Sequence, residues 1–222
     1  MRLAGLPYCR RIATGLALWW APPYSQRHYL ADLNPRGFIS TRATVWGSTI
    51  QFGTNVFIDD RVLIYQDWGS GSMTLGNRVR LQEDTHILTG RGGAVTIGDD
   101  THIQRGCQLN AYMAPIRIGD RVEIAARCAF YSYDHGIVAG QPIVDQPLTS
   151  KGEISIGDET WLGYGVIVLS GVRIGKGAVI GAGSVVTHDV PDGAVAAGVP
   201  ARVIKMRSDR QKTSTPSQPN AK

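Results

Sequence analysis

The stretch Ile156–Arg202, IGDETWLGYGVIVLSGVRIGKGAVIGAGSVVTHDVPDGAVAAGVPAR, repeats a unit of six residues. Each unit opens with an aliphatic residue, often followed by glycine, and its fifth residue is small or β-branched. A period of six fits neither an alternating strand nor a helix of 3.6 residues per turn, so it predicts a short strand and a sharp turn used repeatedly. Three units make a triangular coil of 18 residues, stacked about 4.8 Å from the next coil. We expect four of the opening residues to point inward: Leu162, Val168, Ile174 and Ile180.

Earlier coils are recognised by the same opening pairs, Leu75-Gly76, Ile97-Gly98 and Ile118-Gly119. From Leu75 to Ile97, on to Ile118 and on to Ile156, successive openings are 22, 21 and 38 residues apart. We assign each excess over 18 to an insertion at the third corner of the coil. We expect the glycines to permit the corner's backbone angle and its tight packing. The largest insertion, Tyr131–Gly152, follows Phe130, and a loop of this length in a compact fold is usually functional.

These repeats, over about residues 40–207, resemble the hexapeptide-repeat acyltransferases, including the maltose, galactoside, colanic-acid and lipopolysaccharide O-acetyltransferases. The resemblance implies an all-β fold: a left-handed parallel β-helix with an extruded loop and a short helical C-terminal element around Val203–Arg207. It also implies a homotrimer with active sites between subunits, acetyl-CoA as co-substrate, a carbohydrate acceptor and no metal. We divide the chain into an N-terminal extension (1–38), the β-helix domain (39–207) and a disordered tail (208–222).

O-acetylation requires a base near the acceptor hydroxyl, and histidine is the residue type suited to that role at neutral pH. Of five histidines, His86 and His102 occupy outward places of repeat units, whereas His135 opens the long loop. The resemblance implies that His135 takes the acceptor's proton and that the acetyl group transfers directly. It also implies that Gln104, one methylene longer, replaces an asparagine that holds the acceptor or the oxyanion. Tyr133 and Asp134 are the candidate acceptor-binding residues of the loop.

Acetyl-CoA binding is expected along the C-terminal coils. The resemblance implies that Trp161, also a candidate acceptor contact, flanks the acyl arm together with Tyr164. The resemblance also implies that the backbone is open to the cofactor at Gly163, Ala182 and Gly183. It implies polar or basic groups for the rest of the cofactor at Thr187, His188, Arg202 and Lys205. The resemblance places the cations of Arg202 and Lys205 for charge-assisted bonds to the phosphates.

The net charge of +5 is concentrated at the two ends of the chain. Residues 1–36 carry five arginines and one aspartate, and residues 202–222 carry six Lys/Arg and one aspartate. A basic body would indicate nucleic acid, so basic ends alone argue against it. Ile12–Trp20 is too short to span a bilayer and predicts a helix lying on another surface, for which the inner face of the cytoplasmic membrane is one candidate. Three cysteines without a pairing pattern fit a cytoplasmic location.

Four functions stay open from the sequence. The first is O-acetylation of a sugar in a polysaccharide, lipopolysaccharide or glycan precursor. The second is acyl transfer to another acceptor, such as an amino sugar, an amino acid or a xenobiotic. The third is a zinc enzyme of the γ-carbonic-anhydrase type, disfavoured because no HxxxxH spacing occurs. The fourth is a non-catalytic scaffold, against which the long loop argues.

Overall fold

The computed structural model of the protein describes residues 27–69 and 71–207. Short parallel strands follow one another around three faces, which we number in the order in which a coil visits them. The first face has six strands: β3 (Ile50–Phe52), β6 (Met73–Leu75), β9 (Val95–Ile97), β12 (Ile116–Ile118), β17 (Ile154–Ile156) and β20 (Arg173–Ile174). The second face has nine: β1 (Phe38–Ile39), β4 (Phe57–Ile58), β7 (Arg80–Leu81), β10 (His102–Ile103), β13 (Glu123–Ile124), β18 (Trp161–Leu162), β21 (Val179–Ile180), β23 (Ala194–Gly198) and β24 (Ala201–Met206). The third has seven: β2 (Thr44–Trp46), β5 (Leu63–Gln66), β8 (His86–Thr89), β11 (Gln108–Ala111), β14 (Ala129–Tyr131), β19 (Ile167–Val168) and β22 (Val185–Val186).

The interior is a set of aliphatic ladders, because every coil contributes an inward residue at the same register. The four residues expected to point inward are each at most 1% exposed, which confirms the repeat register. Phe130 closes the third face of its coil and is fully buried. The architecture is therefore the predicted parallel β-helix.

The corner glycines serve close approach between coils and do not supply an unusual backbone angle. A Cβ added to Gly163 would lie 2.6 Å from the amide nitrogen of Ala182 in the next coil, far inside van der Waals contact. The left-handed backbone falls instead two residues later in the turn, at Arg121 (φ 52°) and Glu159 (φ 58°), for example. Our expectation of tight packing at the glycines is confirmed, and our expectation that they supply the corner angle is wrong.

Aspartates at the first corner, between the first and second faces, connect each coil to the next. Asp99 Oδ1 accepts the backbone N–H of Asn77 at 2.8 Å, and Asp120 Oδ1 accepts that of Asp99 at 2.8 Å. Asp158 Oδ1 accepts that of Asp120 at 3.0 Å, although 38 residues separate them in sequence. These bonds satisfy turn amides that the short strands leave without ladder partners.

The part of the N-terminal extension that the structure describes lies on the outer side of the second face. A four-residue helix, α1 (Tyr29–Asp32), buries Ala31 against Phe38 and Phe57. Arg27, only 7% exposed, donates to Asp60. Burial would raise the pKa of Asp60, but hydrogen bonds from Ser40 and Arg27 outweigh it and hold the pKa below its ordinary value of 3.8. The predicted surface helix at Ile12–Trp20 lies outside the described residues, and within them no helix is long and apolar enough to cross a membrane.

The C-terminal element is a strand, and the expectation of a helix there is wrong. β24 pairs antiparallel with β23 and extends the second face by one strand. The physical reason is that β23 would otherwise present unpaired backbone groups at the end of the sheet. The sequence Ala201–Met206 also contains Val203 and Ile204, which are β-branched and favour strand.

Candidate functional site

The long insertion at the third corner forms an ordered hairpin that carries His135. Strand β15 (Asp134–His135) pairs antiparallel with β16 (Leu148–Thr149), with His135 opposite Leu148. A 3-10 turn, Ile143–Asp145, lies between the two strands. The His135 side chain is exposed and packs edge-on to the ring of Tyr133, with 6.4 Å between ring centroids. The imidazole is therefore available to an acceptor and is held on a paired strand.

Two serines and one carboxylate fix the base of this hairpin to the coils. Ser170, in the following coil and 3% exposed, donates to Asp134 Oδ2 at 2.5 Å. Ser132 is fully buried; its hydroxyl accepts the N–H of Tyr112 at 3.0 Å and lies 2.7 Å from the carbonyl oxygen of Ala114. Asp134, which stays a candidate acceptor-binding residue, uses its Oδ2 atom to hold the strand on which His135 lies.

The tip of the hairpin is closed by Gln146, which is 7% exposed. Its Oε1 accepts the N–H of Val138 at 2.7 Å, and its Nε2 donates to the carbonyls of Val138 at 3.1 Å and Gln141 at 3.0 Å. Sequence reasoning did not single out Gln146. A polar residue in the middle of an insertion, between Asp145 and Pro147, gave no sign of being buried.

Tyrosine rings surround the approach to His135. Tyr133 lies 5.6 Å from Tyr112 and 6.1 Å from Tyr131, centroid to centroid. Burial, and then the neighbouring Tyr131, raise the pKa of Tyr133. Burial, and then the hydrogen bond to Asp67, raise the pKa of Tyr112. Both phenols stay protonated at neutral pH, so neither is a base, and His135 is the loop side chain suited to that role.

Most of the predicted acetyl-CoA residues gather at the second corner, between the second and third faces. Trp161 and Tyr164 are 54% and 53% exposed and lie at either side of Gly163. A Cβ added to Gly183 would meet nothing within 4 Å, so the backbone there is open. Ala182 is exposed beside it. This arrangement suits an extended chain with amide groups, which would pack against the aromatic side chains and bond to main-chain groups.

The remaining predicted cofactor residues fall into two other places. Arg202 and Lys205 are exposed on β24, in the same sheet as Trp161. Thr187 and His188 lie at the third corner, where Thr187 Oγ1 and His188 Nδ1 are 2.8 Å apart. Within one chain, the third face separates these two residues and the His135 hairpin from Trp161.

Gln104 lies exposed at the second corner and lines a polar cleft on the second face. The cleft, about 360 Å³, also contains Arg80 and His28, which sequence reasoning did not assign. The sequence did contain a signal for Arg80. It comes one residue before the inward Leu81, and Trp161 occupies the same outward position in its own coil. In the described residues, no three His, Cys, Asp or Glu side chains come together as metal ligands would. Cys107 and Cys128 are buried and free.

Comparison with known proteins agrees with this architecture. Residues 153–188 match the family model described as "Bacterial transferase hexapeptide (six repeats)". "Probable acetyltransferase Rv3034c" of Mycobacterium tuberculosis is 34% identical over 68% of this chain and 50% of its own length. Galactoside O-acetyltransferase of Escherichia coli is 40% identical over 52% of this chain and 58% of its own length. The chain thus spans about half to three-fifths of the length of these curated relatives.

Among solved structures, the polySia-specific acetyltransferase NeuO superposes with a TM-score of 0.55. The match covers 75% of this chain and 87% of that one at 24% sequence identity, which is a likeness of fold. The six-residue repeat, the three-faced parallel β-helix and the matched family model agree with one another, and the repeat that builds this fold is the hexapeptide repeat of bacterial transferases.

Proposed function

We propose that the protein is an acetyl-CoA-dependent O-acetyltransferase acting on a sugar hydroxyl of a polysaccharide, lipopolysaccharide or glycan precursor. The observation that carries the proposal is the exposed imidazole of His135 on a hairpin tied to the coils by Asp134 and Ser170. The galactoside O-acetyltransferase relative supports transfer to a sugar oxygen.

In the proposed reaction the acetyl thioester supplies the activated acyl group, held against Trp161 and Tyr164. His135 accepts the proton of the sugar hydroxyl as the oxygen bonds to the acetyl carbon and the thiolate of coenzyme A leaves. Transfer is direct, so no side chain is acetylated. Arg202 and Lys205 supply positive charge for the phosphates, where charge-assisted bonds are strongest.

We infer that the active site forms between copies of the chain in a homotrimer. Within one chain, the third face lies between Tyr164 at the second corner and Ser170 at the third, so a site that uses both corners is formed more directly between copies. The outer side of the third face supports self-association, because it presents Trp46, Tyr65 and Ile167, which are 52%, 38% and 37% exposed. A solution mass near three times 24.0 kDa is expected.

The test is acetyl transfer from acetyl-CoA to a panel containing a galactoside, maltose and glucosamine, followed by thiol release and by mass spectrometry of the product. We expect an ester, cleaved by hydroxylamine. His135→Ala should lower kcat about 10²–10⁴-fold, the usual range for general-base catalysis. Gln141→Ala, at an exposed position of the same loop, is the matched control and should keep wild-type kcat.

Each alternative gives a different result. Near-wild-type turnover by His135→Ala would refute the assignment of the base. An acetylated amine, resistant to hydroxylamine, would place the protein among N-acetyltransferases. Absence of thiol release with every acceptor would refute the enzyme and favour the scaffold. An active monomer would contradict the shared site.

A further inference from the structure

The polar cleft on the second face is built by outward side chains of three successive strands. Arg80, His102 and Glu123 stand opposite one another on β7, β10 and β13 and form its floor. His28, directly before α1, borders it on one side, and Gln104 borders it at the second corner. Its volume of about 360 Å³ falls in the range of small-molecule binding sites.

Most charged groups around the cleft are already paired. His102 Nδ1 lies 2.9 Å from Glu123 Oε1, and Arg105 lies 3.6 Å from Glu83. Arg27 lies 3.2 Å from Asp59. Arg80 differs, because within the described ranges 27–69 and 71–207 its backbone N–H bonds to Thr101 but its guanidinium has no ion pair or side-chain hydrogen bond. Of the three arginines that line the cleft, Arg27, Arg80 and Arg105, Arg80 is therefore the one whose guanidinium has no carboxylate partner among the described residues.

His28 contributes hydrogen bonding without adding a second charge. Burial, and then the positive charge of Arg80, lower the pKa of His28 below its ordinary value of 6.5. The imidazole is neutral at physiological pH, so it can both donate and accept. His28 and the amides of Gln82 and Gln104 can form hydrogen bonds with hydroxyl groups of a ligand. Arg80, which lies among them, can pair with an anion.

We propose that this cleft binds the anionic residue of an acidic oligosaccharide acceptor, with Arg80 pairing to its carboxylate or phosphate and Gln82, Gln104 and His28 bonding to hydroxyls. The identity of the ligand as acceptor rests on the proposed function. A guanidinium presents its donors in a planar fork that matches either anion.

The position of Arg80 indicates the length of the acceptor. Arg80, His102, Glu123 and Trp161 occupy successive rungs of the second face. Three rung spacings place Arg80 about 14 Å from Trp161, where the proposed acetyl donor lies. An acceptor that reaches both is an oligosaccharide whose charged residue is separated from the acetylated one, and a single neutral sugar would leave the cleft unused.

The experiment measures binding to the full-length protein by calorimetry, with trigalacturonate as the acidic probe and maltotriose as its neutral counterpart. We expect trigalacturonate to bind at least tenfold more tightly. Arg80→Gln should weaken its binding about tenfold to a hundredfold, the loss expected for one charge-assisted hydrogen bond, and should leave maltotriose unaffected. Arg117→Gln is the matched control, because Arg117 lies outward on β12 of the first face. Competition by glucose 6-phosphate distinguishes phosphate from carboxylate as the preferred group.

Equal affinity for trigalacturonate and maltotriose would overturn the proposal, as would equal weakening by Arg80→Gln and Arg117→Gln. In the transfer assay, Arg80→Gln should raise KM for an acidic acceptor while sparing kcat and the KM for acetyl-CoA. Arg80-dependent anion binding without transfer to any acceptor would refute the enzyme and leave the anion site standing. Transfer that Arg80→Gln leaves unchanged would refute the anion site and leave the enzyme standing.

Discussion

Replacing Ser170 by alanine removes the hydroxyl that donates to Asp134 Oδ2 at 2.5 Å. This bond joins β15 to the next coil, so its loss frees the strand that carries His135. Trp161 and Tyr164, which are proposed to hold the acetyl donor, lie at the second corner, across the third face from Ser170. The substitution should therefore act on the proposed base, His135, and spare the binding of acetyl-CoA.

The magnitude follows from the type of bond. A hydrogen bond to a charged group contributes about 1.5–3 kcal/mol, and the partial exposure of Asp134 places this one near 1.5 kcal/mol. We expect the free energy of unfolding to fall by about that amount. If the same energy positions His135, kcat falls about tenfold, since 1.4 kcal/mol corresponds to a factor of ten. The KM for acetyl-CoA should change less than about twofold, because the interaction is absent from cofactor binding.

The assay is a double-mutant cycle of Ser170→Ala and Asp134→Ala, read by urea unfolding and by steady-state kinetics. Ser155→Ala, whose side chain points outward from β17, serves as the control and should alter neither quantity. A coupling free energy below about 0.5 kcal/mol would refute the assigned bond, because distant sites are additive within that margin. Full coupling with unchanged kcat would show that the bond stabilises the hairpin without positioning His135.

Three further predictions concern stability. Gln146→Ala removes three hydrogen bonds and should speed hydrogen exchange at the Val138 amide by tenfold or more while leaving the coils protected; unchanged exchange would contradict the role of Gln146 in holding the tip. Asp60→Asn should destabilise the protein at pH 7, because a carboxyl with a lowered folded-state pKa stabilises the fold only while it is ionised. The difference in unfolding free energy between wild type and variant should shrink as pH falls below about 3.8. A pH-independent difference in urea unfolding would argue against this. Truncation after Gly198 removes β24 and should cause concentration-dependent association by light scattering, since β23 is left as an open edge; an unchanged particle mass would show that the edge is harmless.

The periodic part of the fold could be predicted from the sequence because burial repeats at a fixed interval. Ile118 and Ile156 were assigned to the same face across 38 residues, and they are neighbours on β12 and β17. The C-terminal strand was not predicted, because two β-branched residues are a weak local signal and its pairing depends on the open edge of β23. Periodicity identified which glycines matter but not whether close approach or backbone angle was the reason.

The site was predictable only where its residues belong to repeats or open the insertion. Trp161 ends one repeat unit and Gly163 and Tyr164 belong to the next, and the three lie together as adjacent units imply. Asp134 is engaged by Ser170, a contact that no spacing predicts. The cleft around Arg80 depends on how α1 packs over the second face, which is a tertiary event. The roles of His135 and Gln104 stay predictions, as does the membrane contact of Ile12–Trp20.

The His135 hairpin leaves and rejoins the coils without disturbing their register. Ile116 faces Ile154 and Ile118 faces Ile156, as they would if the insertion were absent. Because closing a longer loop costs only about 0.6 kcal/mol for each doubling of its length, the scaffold is nearly indifferent to what the insertion contains. Natural variation can therefore replace this segment with one of different sequence or length. Such a replacement would change the acceptor that binds and leave the hydrophobic core of the coils unchanged.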